Sequence, residues 1–180
     1  MKIIKKILFL IAALVVPSMI YIFLRGFGYN KFEIPVYYED GVAIEGCDAS
    51  DSTHTVQFEN YTLQGPQLFY FPQWVNDEEF YRQCNRINDK QPKVVFTAIA
   101  DSSNHTFIGN LLLVSDEDQL YQIANCALVL GQEFFISEPI YNQLVLVDSK
   151  KRIRGYFNGN ELEEMDRLDM ELDILKKEEN

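Results

Sequence analysis

Two uninterrupted apolar runs bracket a helical segment, and that arrangement restricts the fold more than any other feature of the chain. Residues 67–71 (QLFYF) and 94–100 (VVFTAIA) lack the polar alternation of a sheet with one wet face. Each therefore reads as a strand buried on both sides. Between them Phe80, Cys84 and Ile87 recur at i, i+4 and i+7, which makes one buried stripe of a helix over about 77–89. Asn76 suits its N-cap, and Asp77, Glu78 and Glu79 suit the positive end of its dipole. Pro92 ends the segment. Two strands joined by a helical crossover pair in parallel.

The remainder extends this unit. Residues 55–58 alternate and read as an edge strand, and Gln64-Gly65-Pro66 is a turn signal. DSSNH after the second strand reads as a loop. Ser115 with Asp118 three residues on resembles a capping box, ahead of a helix that turns Leu120, Ile123 and Ala127 inward. Residues 144–147 and 153–157, joined by a polar turn at 148–151, form a β-hairpin. Asn158-Gly159-Asn160 breaks it, with Asn160 as cap of a last helix. Leu162, Met165, Leu168, Leu172 and Leu175 give that helix one apolar stripe. Strand, helix, strand, helix, hairpin, helix is the thioredoxin-like α/β plan: a central mixed sheet with helices on both faces.

The N-terminus is of another kind. Residues 7–24 carry no charge and at helical rise span about 27 Å, close to a bilayer core. Lys2, Lys5 and Lys6 precede the run and favour a cytoplasmic N-terminus. A cleaved signal would have a shorter apolar part followed by a small-x-small pattern, and none follows Leu24. Residues 1–25 are therefore read as an N-terminal membrane anchor or uncleaved signal, one transmembrane helix, with a cleaved signal peptide as the rival reading; either exports the domain. Residues 26–54 read as a tether and 55–180 as the domain. The expected location is the inner membrane, single pass, with the domain on the periplasmic side. Net charge is −11. Setting aside the four cations and no acids of residues 1–25 leaves the rest at −15. Such a domain repels phosphate backbones, which excludes nucleic acid as a partner.

Reactive groups are few. Cys47, Cys84 and Cys126 have neither CxxC nor metal-type spacing, and an odd, scattered set does not indicate a disulfide framework. Cys84 and Cys126 lie on or beside apolar helix stripes and read as small hydrophobes. Cys47, in the tether, reads as a free or partnered thiol. His54 reads as a surface residue. No Ser-His-Asp arrangement or glycine-rich phosphate loop is present.

The C-terminal run VLVDSKKRIRGYFNGNELEEMDRLDMELDILKKEE resembles the end of the Sco/SenC family, through Asp148, Arg152, Ile153, Arg154, Gly155, Tyr156 and Gly159. SDEDQLYQIANCALVL resembles a family helix through Asp116, Tyr121 and Ala124. The anchor and tether resemble Bacteroidetes-type members. The resemblance implies a membrane-tethered thioredoxin-fold domain connected with copper delivery to cytochrome oxidase and thiol redox. It also implies a CxxxC motif after the first core strand and a histidine before the hairpin. Those positions fall on Gln73, Asp77 and Ile140, so all three copper ligands are replaced. An amide and one carboxylate are poor copper ligands, and thiol exchange needs a thiolate.

The surface around Gln73, Trp74, Asp77, Asp101 and His105 is therefore expected to bind a partner, with no catalytic residue, no metal ligand and no cofactor. Trp74 reads equally as a core plug or a contact anchor. The basic tip Lys150, Lys151, Arg152 and Arg154 reads as a solvated turn, or as a contact for anionic headgroups or an acidic partner. The expectation for function is a non-catalytic binding or respiratory-complex assembly factor, its partner a membrane protein complex. The alternatives are a copper chaperone with non-standard ligands, through Cys47, His54 or His105, and a thiol oxidoreductase working through Cys47.

Overall fold

The structure is a computed structural model. It describes residues 2–27, 33–47, 52–58, 61–63, 65–72, 78–101, 107–131 and 143–179. The chain divides into two units, Met1–Phe32 and Glu33–Asn180. The first contains a single helix, α1 (Lys2–Phe27), with Pro17 inside it. Ser18 Oγ donates to the Leu14 carbonyl one turn back. Among the described residues no helix is long and apolar enough to cross a membrane. The side chains of residues 7–12 and 24, part of the apolar run, lie outside those described.

The second unit is built on a five-stranded sheet in the order β3-β2-β1-β4-β5. β1 (Gln67–Tyr70) and β2 (Val95–Ala100) are the two apolar runs, and α2 (Glu78–Lys90) joins them. They pair in parallel, Gln67 opposite Val95 and Tyr70 opposite Ala98. On the other side β1 pairs antiparallel with β4 (Gln143–Val147), and β4 turns into β5 (Ile153–Asn158) as the expected hairpin. α4 (Leu162–Glu178) closes the chain. A parallel pair continued by an antiparallel hairpin is the thioredoxin-like plan.

The two buried faces follow from the period of two along a strand. Leu68 and Tyr70 point to one side and pack with Phe80, Cys84 and Ile87 of α2 and with Met165, Leu168 and Leu172 of α4. Phe69 and Phe71 point to the other and meet Val56, Ile123, Ala124 and Leu128. All four positions of β1 are buried, as expected of a central strand, and its one polar side chain, Gln67, accepts from Tyr61 Oη.

Several expectations are corrected. A fifth strand, β3 (Asn110–Leu113), lies parallel to β2 at the sheet edge, in a stretch that had no strand assigned to it. Its entry depends on Gly109 at φ +79, where a side chain would collide with the Phe96 carbonyl. Residues 55–58 form no strand; Phe58 makes one isolated bridge to Tyr61. The cap before α3 (Glu117–Tyr121) is Asp116, whose carboxylate accepts from Gln119 N. Gln119 Oε1 in turn accepts from Ser115 N, so the reciprocal pair is shifted one residue from the expected Ser115 and Asp118. After Tyr121 the helix widens into a π-helical turn, Gln122–Ala127. Ile123 and Ala127 are buried there as expected, and Leu120 is half-buried. The N-cap of α4 is Glu161, not Asn160. Leu162 sits at the first turn and is exposed, whereas Met165, Leu168, Leu172 and Leu175 are buried. Asn76 and Asp77 lie outside the described residues.

The tether is the largest correction. From Glu33 onward it belongs to the compact unit. Ile34 is buried in the core beneath α4, Tyr37 N donates to Ile153 O, and Val56 N donates to Lys151 O. A short apolar Ile-Pro-Val-Tyr stretch supplies the contacts, and without helical period it carries no signal that it packs.

Candidate functional site

The carboxyl ends of β1 and β2 lie at one end of the sheet. Asp101 follows β2 directly, three residues beyond Ala98, the partner of Tyr70. It is exposed. Gln73, Trp74, Asp77 and His105 lie outside the described residues, as does Ile140, so of the five expected contact residues the structure places Asp101 alone. Beneath this end Tyr70 is fully buried. Its hydroxyl donates to Ile108 O and accepts from Ile108 N, which fastens the loop before β3 to β1. Burial pushes the Tyr70 phenol well above its ordinary value, so the group stays neutral and structural.

The cysteines divide by environment. Cys84 is buried under α2, and burial alone drives its thiol far above the usual range. A thiol that stays protonated is neither nucleophile nor metal ligand. Cys47 and Cys126 are joined by a disulfide across 79 residues, with Cα atoms 5.5 Å apart. This overturns the reading of Cys126 as a small buried hydrophobe, and of the two readings of Cys47, free or partnered, it selects the partnered one. The signal in the sequence was the expected export of the domain, into a compartment where disulfides persist. The third cysteine obscured it by making the count odd.

The disulfide borders a cleft of about 690 Å³. Cys126 comes from the π-turn, and Cys47 from the segment between Tyr38 and His54. Phe58, Leu112 and Ile123 supply apolar wall, and Gln57, Gln119 and Gln122 supply side-chain amides. The loop is bound on two further sides. Tyr121 Oη donates to Glu45 O, and His54 N donates to Tyr38 O. His54 Nε2 lies 2.8 Å from the Ala127 carbonyl and so carries the proton there. Expected at the surface, His54 is half-buried and occupied in holding this loop.

The hairpin tip differs from its sequence reading as well. Asp148 is almost fully buried and accepts from the backbone of Lys150 and Arg152. Arg152 Nε and Nη2 both reach its Oδ2, and Arg154 Nη1 joins them. Burial pushes the Asp148 carboxyl up, but these donors outweigh it and hold the group below the usual carboxylate range. Arg154 also bonds Glu178 and the carbonyls of Ile34 and Pro35. Two of the four expected basic side chains are thus internal fasteners, leaving Lys150 and Lys151 exposed.

Among the described residues no group of three or more His, Cys, Asp or Glu side chains is placed to hold a metal ion. Gln73, Asp77 and Ile140, where the Sco/SenC resemblance implies copper ligands, lie outside the described residues.

No family model matches the chain, and no curated protein matches it. Among solved structures, a SCO1/SenC family lipoprotein from Bacillus anthracis str. Ames is similar at 10% identity. The match covers 62% of this chain and 82% of that one, with a TM-score of 0.47. BsSco, described as a member of the Sco family of cytochrome c oxidase assembly proteins, is similar at 11% identity over 63% and 81%, TM-score 0.47. A thiol peroxidase from Chromobacterium violaceum is similar at 16% identity over 64% and 73%, TM-score 0.42.

Proposed function

We propose that the chain is an exported, membrane-anchored protein of thioredoxin-like plan that works by binding a partner at the β1–α2 end of its sheet. The observation that carries this reading is the disposition of the three cysteines. One is buried, two are bonded to each other, and none stands where the strand turns into the helix. Residues 1–25 hold the protein in the inner membrane with the domain on the periplasmic side. Their basic start, their apolar run and the helix through them support that placement. The RIRGYFNG hairpin and the helix after it support a role beside the Sco/SenC proteins, in assembly of a respiratory membrane complex. No resident cofactor is part of this reading.

Two measurements test it. Replacing Trp74→Ala in the full chain should abolish recovery of the partner complex from solubilised membranes while the unfolding midpoint stays unchanged. Unaltered recovery together with unaltered stability would remove the patch. Anaerobic titration with copper(I) against a competing chelator should show no tight stoichiometric site; one such site would replace this reading with copper handling. The position of the Cys47–Cys126 bond on an open cleft favours a second reading, thiol–disulfide exchange away from the strand–helix turn.

A further inference from the structure

We propose that Cys47–Cys126 is an exchangeable disulfide, and that its substrate is a cysteine pair on a neutral or basic polypeptide segment lying in the adjoining cleft. This develops the second reading above and is independent of the Trp74 surface.

Three observations carry it. Both cysteines are half-buried and border a cleft large enough for several residues of peptide, so a thiolate can approach the bond. Cys84, sealed in the core, shows the opposite environment in the same molecule.

The bond is also not what holds its own segment in place. Arg154 fastens Ile34 and Pro35, Tyr37 N bonds Ile153 O, and Val56 N bonds Lys151 O. His54 N closes the loop on Tyr38 O. Reduction therefore leaves these hydrogen bonds, the sheet and both cores in place. A staple whose loss unfolded the chain could not cycle.

The backbone behind Cys126 departs from regular helix. The π-turn pairs Leu128 N with Ile123 O, and Val129 adopts φ 54. Single π-turns occur often at functional sites, and a β-branched residue in the left-handed region is an outlier that the surroundings must enforce.

The walls define the substrate. Phe58, Leu112 and Ile123 suit apolar side chains, and the glutamine amides suit a peptide backbone. Asp118 also borders the cleft, and the domain carries a large negative charge. Both disfavour an anionic thiol such as glutathione.

In the reaction a substrate thiolate attacks one sulfur of the bond. The S–S bond breaks, a mixed disulfide forms, and the displaced thiolate takes a proton from solvent. The second substrate thiolate then attacks the mixed disulfide. The substrate leaves with a new S–S bond, oxidised by two electrons, and Cys47 and Cys126 are left as two thiols. The return step needs a second disulfide of the same compartment, which is itself reduced to two thiols.

The test uses the oxidised full chain in detergent and three reductants: a lysine-flanked two-cysteine peptide, its glutamate-flanked counterpart, and glutathione. Alkylation followed by peptide mass mapping reads the thiols, and near-ultraviolet circular dichroism reads the fold. The expected result is one thiol each at 47 and 126, one peptide disulfide formed per chain, and an unchanged spectrum. The lysine peptide should react on the order of tenfold faster than either anionic reductant at low salt. Cys84→Ala should leave all of this unchanged, and Cys47→Ser with Cys126→Ser should lose it. Reduction that requires denaturant, or that collapses the spectrum, overturns the proposal, and the wild-type measurement decides this even if the double variant fails to fold. Equal rates for the three reductants overturn the substrate assignment. Exchange is read on the isolated chain with no partner complex present, so failure here and failure at the Trp74 surface are separable.

Discussion

Arg154 and Asp148 form an ion pair inside the domain, with Arg154 Nη1 3.1 Å from Asp148 Oδ2 and the side chains 3% and 1% exposed. The pair joins the hairpin to the N-terminal segment, because the same guanidinium bonds the carbonyls of Ile34 and Pro35 and the carboxylate of Glu178. Removing Arg154 leaves Asp148 with Arg152 and two backbone donors but takes the guanidinium from Glu178 and from the Ile34 and Pro35 carbonyls, and buried acceptors left unpaired cost about 1–3 kcal/mol. Arg154→Ala should therefore destabilise by about that much, and its denaturant midpoint should fall accordingly. Amide exchange at Ile34, whose N–H donates to Glu178, should accelerate more than exchange along β1. An unchanged midpoint would mean the pair contributes nothing.

The same site sets an acid limit. Burial raises the Asp148 carboxyl, but the Arg152 and Arg154 hydrogen bonds prevail and its folded pKa is depressed. A depressed carboxylate binds its proton more weakly in the folded state than in the unfolded one. Its stabilisation is complete above the unfolded value, about 3.9, and is lost as pH falls through the folded value. Asp169 acts in the same direction, with burial outweighed by Lys90 and Gln91. Stability should thus be flat with respect to these groups between pH 5 and 7 and should fall below about pH 4. Asp148→Asn should flatten part of that fall, measured as unfolding free energy against pH. An identical slope in the variant would exclude Asp148 as its source.

The disulfide should govern stability through the unfolded chain. Closing a loop of 79 residues removes unfolded-state entropy worth about 4–5 kcal/mol in the chain-entropy treatment. Cys47→Ser with Cys126→Ser should lower the unfolding free energy by up to about that amount, while the native spectrum persists at 25 °C. A loss of the native spectrum would show that the hydrogen bonds around Tyr37, His54 and Val56 do not suffice to hold the segment.

Gly109 is a sharper backbone test. Its φ of +79 is left-handed, and a Cβ there would strike the Phe96 carbonyl and side chain. Gly109→Ala should cost about 2–4 kcal/mol, combining the left-handed penalty with displacement of β3. Amide exchange along β3 should rise ahead of that along β1. A variant as stable as the parent would remove the argument that close approach dictates glycine here.

Cys84 should be inert. Its thiol is buried and its ionisation is opposed by burial. Iodoacetamide applied to the native chain at pH 8 should leave position 84 unmodified until denaturant is added. Rapid native modification would show that the α2 face opens.

The sequence by itself determined what local periodicity can encode. Residues 67–71 and 94–100 were apolar without alternation, so two buried strands followed. Phe80, Cys84 and Ile87 at helical spacing required a helix between them, and a helical crossover made the strands parallel. The hairpin and the buried stripe of the last helix were legible for the same reason. Tertiary structure decided everything that depends on distant partners. β3 is too short and too exposed to carry a pattern, and it exists because β2 offers an edge and Gly109 allows close approach. Arg154 looked like a surface cation until Asp148, Glu178 and two carbonyls from the segment near Ile34 surrounded it. Cys47 and Cys126 showed no spacing that predicts a bond, because a disulfide depends on Cα separation in space, and 79 residues of chain leave that distance undetermined until the fold closes.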